Sequence, residues 1–179
     1  MSVVQEETLS IRSADANDID VLREIGCTTY RDHFSHVWSE DGIRRFVDAD
    51  FSAEAIRTTL AASSKHLWMI ATDNDGKVAG YAKINWGMRD PILGLEGAEL
   101  QKIYFRKSAT GKGYGAAMLD RVFDLVRQRS NRRIWLDVLK INVGAQRFYE
   151  QAGFARLGEM PFRTDLAEVG MVVMARDLA

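Results

Sequence analysis

The chain has 179 residues, 46% of them hydrophobic and 27% charged, enough for one globular domain, residues 1–179, with a sizeable core. A net charge of −1 excludes a strong pull towards nucleic acid or an anionic membrane, and a single cysteine, Cys27, excludes an intramolecular disulfide. No apolar run approaches the roughly 20 residues of a membrane helix, and the opening MSVVQEETLS lacks the basic-then-apolar order of a secretory signal, so the expected setting is cytoplasmic.

TLSIRSA reads as a short first strand. In ANDIDVLREIGCTTYRDHF, Ile19, Leu22, Ile25 and Cys27 fall near helical spacing, with Asn17 or Asp18 as the cap. SEDGIRRFVDADFSAEAIRTTLAAS follows as two short helices capped by Ser39 and Ser52, with Glu54 in the first turn of the second. HLWMIAT and KVAGYAKINW are strand-like, and Asp75-Gly76 between them predicts a tight antiparallel hairpin. GMRDPILGLEG reads as a loop, AELQKIYF as a strand and YGAAMLDRVFDLVRQRS as a helix. RRIWLDVL is a strand, NVGAQRFYEQAG a helix, and FARLGEMPF and GMVVMARDL the last strands. Strands in hairpins and strands joined through helices together imply a mixed α/β (α+β) sheet with helices packed on it.

SATGKGYGAAMLD places Gly111, Gly113 and Gly115 at alternate positions before a helix. A Walker A loop would need a glycine where Arg106 stands and a hydroxyl where Gly113 stands, so that reading fails twice. A dinucleotide fingerprint needs a parallel βαβ unit, and although Asp137 lies at a suitable later position, the preceding strands form a hairpin. A bare-backbone cup at a helix start suits an anion such as a pyrophosphate, because the amides converge and the helix dipole adds to them. A flexible loop entering an ordinary helix is the plainer alternative.

LDVLKINVGAQRFYEQAGF then runs from strand to helix to strand. Asn142 and Tyr149 lie seven apart, on one helical face about two turns from each other. Ala145 sits between them, and Gly153 ends the helix before Phe154 returns to the core. In this order and spacing, ELQKIYFRKSATGKGYGAAML and LDVLKINVGAQRFYEQAGF resemble the GNAT superfamily of acyl-CoA-dependent N-acetyltransferases. One departure is Thr110, where that family's loop carries Arg or Gln.

The resemblance implies a central, twisted, mostly antiparallel sheet of about seven strands, one pair splayed apart, with about four flanking helices. It implies acetyl-CoA as co-substrate and no metal. Ile103, Tyr104 and Phe105 would receive the pantetheine arm along their freed main chain. Thr110, Gly111, Lys112, Gly113, Tyr114, Gly115 and Ala116 would hold the pyrophosphate, with Lys112 either adding charge or solvated. Asn142 would contact the pantetheine, Ala145 and Phe148 would line its track, and Tyr149 would protonate the leaving thiolate. Glu99, sharing a strand face with Gln101 by alternation, is the candidate base, with Glu96 behind it; a solvated strand-end carboxylate is the alternative for Glu99. His33 and His36 lack the partners of a zinc site.

On the acceptor side, Tyr30, Phe34 and Phe51 resemble the helical region of the PaiA-like spermidine/spermine branch of the family. Asp32, Glu40, Asp41, Asp48, Asp50 and Glu54 give that region an acidic bias suited to a polyamine. Tyr30, Phe34, Trp38 and Trp86 either wall an amine channel or belong to the core. Other acceptors consistent with the family are a peptide N-terminus, an amino acid or an antibiotic, and a non-catalytic acyl-CoA sensor is the rival from another class. The arginine-rich RQRSNRR fits a helix end better than nucleic acid. A homodimer through the last strands is the assembly the resemblance suggests.

Overall fold

The computed structural model of the chain describes residues 8–129 and 131–179; residues 1–7, on which the leader reading falls, and Ser130, inside the arginine-rich stretch, lie outside them. The strands are β1 (Ser10–Ser13), β2 (His66–Thr72), β3 (Val78–Arg89), β4 (Glu96–Phe105), β5 (Arg133–Leu139), β6 (Ala155–Met160) and β7 (Met171–Asp177). The α-helices are α1 (Ile19–Phe34), α2 (Glu40–Asp50), α3 (Ala53–Ala61), α4 (Tyr114–Gln128) and α5 (Val143–Gln151). The seven strands form one sheet in the order β1-β2-β3-β4-β5-β7-β6, antiparallel throughout except for the β4–β5 pair.

The local chemistry sets the boundaries. Ser39 Oγ accepts from Gly42 N–H and Ser52 Oγ from Ala55 N–H, so both serines cap their helices as expected. At α1 the cap is shared differently. Asp15 accepts from Asn17 N–H at the head of a 3-10 turn, while the Asp18 carboxylate returns to Asp15 N–H and pairs with Arg12. The Asp73–Lys77 turn carries Gly76 at φ 76°, where a side chain would strain the backbone.

Alternation distributes the side chains to two cores. Met69, Ala82, Ile84, Ala98, Leu100, Ile134 and Leu136 face α4 and α5, packing on Met118, Val122 and Phe123. Trp68, Ile70 and Tyr81 face the other way, against Leu22, Ile25, Ile43, Phe51 and Ile56 of α1–α3.

Two irregularities depart from the expected strands. The segment read as a loop from Gly87 to Gly97 is paired at both ends: β3 continues to Arg89 and β4 begins at Glu96, leaving residues 90–95 as the turn. Gly87, at φ 66°, takes up the extra residue of β3 there. Further along, Lys83 faces Lys102 but Ile84 faces Leu100, so Gln101 is an extra residue in β4. Strict alternation would put Glu99 on the face of Ile103 and Phe105; the bulge puts it instead on the face of Lys102 and Tyr104. Among the described residues, no helix is long and apolar enough to cross a membrane.

Candidate active site

β4 stays paired with β3 as far as Phe105, but it meets β5 only at Ala98↔Ile134 and Glu99↔Trp135. Beyond that point the two parallel strands part, and main-chain groups on their facing edges have no ladder partner. The gap holds a cavity of about 520 Å³ that reaches through the sheet. One end is lined by His33 and Phe34 of α1, the other by Ala145, Phe148 and Tyr149 of α5, with Ile103, Tyr104 and Phe105 along one wall and Val138 and Leu139 along the other. His33 Nε2 lies 3.3 Å from the Phe105 carbonyl; since the carbonyl only accepts, the imidazole donates, tying the end of β4 to α1.

The glycine loop closes one side of this cavity. Gly111 and Gly113 have φ of 78° and 77°, and a Cβ built on either would meet no protein atom within 4 Å. These glycines are thus required by backbone conformation, and the space before them is open. Ala117 N–H is the first to close a helical bond, to Gly113 C=O, so the amides of Gly113, Gly115 and Ala116 precede the hydrogen-bonded ladder of α4. A Cβ on Gly115 would come 3.1 Å from the Phe148 ring, which explains the close approach of α4 and α5 beside the loop.

Thr110 and Lys112 behave otherwise. Thr110 lines the cavity, but its N–H and its hydroxyl both donate to the Lys107 carbonyl, so it has no donor left for an anion. Lys112 is not among the residues lining the cavity; its ammonium lies 5.9 Å from the Tyr114 ring centroid, and it borders a smaller depression with Asp73, Asp75 and Lys77. Tyr114 lines the cavity but is buried against Ala79, Ala109 and Phe105.

On α5, Asn142 Oδ1 accepts from Ala145 N–H and caps the helix, leaving its NH2 as a donor beside the cavity it lines. The Tyr149 ring packs edge-on against Phe148 and Phe154, at centroid distances of 5.3 and 5.6 Å, and its hydroxyl has no hydrogen-bond partner among the described residues. Burial, and then the Asp137 charge, push its proton affinity well above that of a free phenol.

The carboxylates are arranged differently from the expectation. Glu99 does not line the cavity; its Oε2 accepts from Asn85 Nδ2 at 2.8 Å. Glu96 is exposed at the start of β4. The carboxylate lining the cavity is Asp137 of β5, which the sequence offered only as part of a discarded dinucleotide motif. It faces the open gap, accessible to solvent yet enclosed by protein on several sides. Burial, then the neighbouring Glu99 charge, push its carboxyl up to about 6, while Lys102 pulls it down. The signal that could have found it is a carboxylate one residue past the centre of the strand that leads into the Asn142–Tyr149 helix.

The aromatic candidates divide. Phe34 lines the cavity. Tyr30 is core: its ring stacks on Phe34 and Phe46, at 4.4 and 4.2 Å, and its oxygen accepts from Trp38 Nε1. Trp86 is not in the cavity wall. It packs with the α4-side core at the far end of that helix, under the Arg129 guanidinium at 4.6 Å. The acidic bias is mostly internal, since Glu40 pairs with Arg31, Asp41 with Arg44, Asp50 with Lys102, and Asp32 lies 3.9 Å from Lys107. Among the described residues, no group of three or more His, Cys, Asp or Glu is placed to hold a metal.

Residues 22–154 match the Acetyltransferase (GNAT) family. An uncharacterized N-acetyltransferase of Mycobacterium bovis is 28% identical over 161 residues, 90% of this chain and 98% of its own length. The fold is similar to that of the PaiA N-acetyltransferase from Thermoplasma acidophilum in complex with coenzyme A, with a TM-score of 0.74 at 18% identity over 95% of this chain and 99% of that one. It is also similar to the ribosomal-protein-S18-alanine N-acetyltransferase of Escherichia coli, with a TM-score of 0.70 at 20% identity over 96% and 95%.

Proposed function

Because the chain belongs to the GNAT acetyltransferase family and is an acetyl-CoA-dependent N-acetyltransferase, we propose that its acceptor is the primary amine of a small molecule, reached through the gap between β4 and β5. The observation that carries the reading is that Asp137 and Tyr149 both line that gap, with the Asp137 charge acting on the Tyr149 phenol.

The main-chain amides of Gly113, Gly115 and Ala116, with Gly111 opening the turn, suit the diphosphate of the co-substrate, and the open space before the glycines supports this fit. The bare edge of Ile103, Tyr104 and Phe105 takes the pantetheine arm, with Asn142 Nδ2 as a side-chain donor and Ala145 and Phe148 as its apolar wall. Lys112 and the Thr110 side chain are left out of this assignment by their contacts.

An amine reaches the protein as an ammonium and must lose a proton before its lone pair attacks the thioester carbon. Asp137 accepts that proton: its carboxyl titrates at about 6, so it is ionised at pH 7 while more basic than an ordinary aspartate. A main-chain N–H on the unpaired edge of β4 donates to the oxygen that becomes negative. As the C–S bond breaks, Tyr149 gives its proton to the thiolate, and its raised proton affinity keeps it protonated until then. Glu99, the base expected from the sequence, lacks access to the cavity and is assigned no proton.

Within this class, a polyamine is the narrower reading, supported by the acidic composition of α1–α3, where Asp48 and Glu54 carry no ion pair within 4 Å among the described residues. Thiol release from acetyl-CoA over a panel of polyamines, amino acids and amino antibiotics tests both levels. Turnover on at least one amine, lost in Asp137→Asn, is the expected result; coenzyme A binding without turnover on any amine would overturn the enzymatic reading.

A further inference from the structure

A row of hydrogen-bonded side chains crosses the sheet on the α1–α3 face and ends beside Asp137. Its members are directly opposed in the strand register: His66 of β2 faces Asn85 of β3, Asn85 faces Glu99 of β4, and Glu99 faces Trp135 of β5. Asp137 follows two residues after Trp135, on the same face. His66 Nδ1 lies 2.7 Å from Asn85 Oδ1, and Asn85 Nδ2 donates to Glu99 Oε2 at 2.8 Å.

The direction of the row follows from its last member. An ionised carboxylate only accepts, so the Asn85 NH2 must face Glu99 and its carbonyl must face His66. His66 Nδ1 must then carry a hydrogen. Both the Nδ1–H tautomer and the imidazolium satisfy that requirement. Asn85 is 4% exposed, which holds its amide in place and makes an unpaired orientation costly.

We propose that His66 and Asn85 are positioning residues that hold Glu99 as a fixed negative charge beside Asp137, and that Glu99 serves proton transfer through Asp137 rather than by taking the amine's proton itself. This rests on the role given above to Asp137. The charges around the two carboxylates support it. Asp137 is faced by Glu99 and Lys102 of β4, by Tyr104 of the same strand and by Tyr149 of α5. Glu99 also acts on Lys83 of β3, and Lys102 is itself paired with Asp50 at the end of α2. On top of burial, Glu99 raises the proton affinity of Asp137 and Lys102 opposes it, so the position of the Glu99 charge adjusts the balance.

The test is a carbon-detected NMR titration of the Asp137 carboxyl in the free protein, beside pH profiles of kcat/KM, for the wild type, Glu99→Gln, Asn85→Ala and His66→Phe. Asn85 is buried, so His66→Phe, at a half-buried strand end, repeats the positioning test without opening the core. The expected result is that Asp137 titrates at lower pH in Glu99→Gln, and in the same direction but less in the other two. The acid limb of kcat/KM should move with it, while Glu99→Gln keeps about a tenth or more of wild-type turnover above pH 7. An unmoved Asp137 titration in Glu99→Gln, or acetyl transfer abolished at every pH by that change, overturns the inference. A shift in Glu99→Gln with none in Asn85→Ala and His66→Phe overturns the positioning role. The NMR readout needs no substrate, so failure of the acceptor assignment is distinguishable from failure of this one.

Discussion

Asp137 points to the α1–α3 face of β5 and Tyr149 belongs to α5, packed on the other face of the sheet, yet both line the gap beside β4, where burial and then the aspartate charge raise the proton affinity of the phenol. In the proposed reaction Asp137 gains a proton and Tyr149 gives one away. Replacing Tyr149 by Phe removes the donor and leaves the ring packing on Phe148 and Phe154. Turnover is expected to fall roughly a hundredfold or more, with coenzyme A affinity unchanged, as measured by thiol release and calorimetry.

The Asp137 titration should be visible in both rate and stability. If Asp137 is the base proposed above, acetyl transfer needs its ionised form, and kcat/KM is expected to fall as pH drops through about 6. For stability the sign is reversed. The folded carboxyl holds its proton more tightly than the ordinary value of 3.8, so its contribution is fully present below that value and lost as pH rises through about 6. Asp137→Asn has no charge to bury. Its melting temperature is expected to gain on the wild type between those two values and to keep that gain above pH 7, while its turnover is lost; melts across pH check the first and thiol release the second.

Gly113→Ala separates backbone strain from ligand exclusion. At φ 77° an alanine costs about 1–2 kcal/mol, but its methyl touches no protein atom. It would instead occupy the space assigned to the diphosphate. Coenzyme A affinity is expected to weaken by more than about tenfold, a larger effect than on the melting temperature, and calorimetry with a parallel thermal melt distinguishes the two.

Trp86→Phe tests the acceptor side. The Trp86 indole N–H is buried without a hydrogen-bond partner among the described residues, and the ring lies away from the gap. The variant is expected to keep its KM for the amine and its turnover, and to lose no stability, since a buried unpaired donor costs about 1–3 kcal/mol that phenylalanine does not incur. A raised KM would put Trp86 back in the acceptor channel.

Much of this was legible in the sequence because it depends on local rules. Ser39 and Ser52 announce helix starts, Asp75-Gly76 a hairpin, and Gly111 and Gly113 a turn at positive φ. What was not legible depends on register. Nothing in AELQKIYF signals that Gln101 is an extra residue, so alternation could not place Lys102 and Tyr104 on the face of Glu99. Asp137 looks like any strand carboxylate until β4 and β5 are seen to part beside it. Trp86 and Tyr30 stay open between channel and core in the sequence because composition cannot tell a lining ring from a buried one; their contacts with Arg129, Phe46 and Trp38 decide it.

The extra residue in β4 has an effect on how this chain tolerates change. Deleting Gln101 would restore strict two-residue alternation and turn everything from Lys102 to Phe105 through half a rotation about the strand axis. Two ammonium-pairing and ring-packing contacts, Lys102 with Asp50 and Tyr104 with Phe34, would be carried to the opposite side of the sheet. A shortened gene product of that kind would keep nearly every letter of the sequence and none of the geometry on which its chemistry depends.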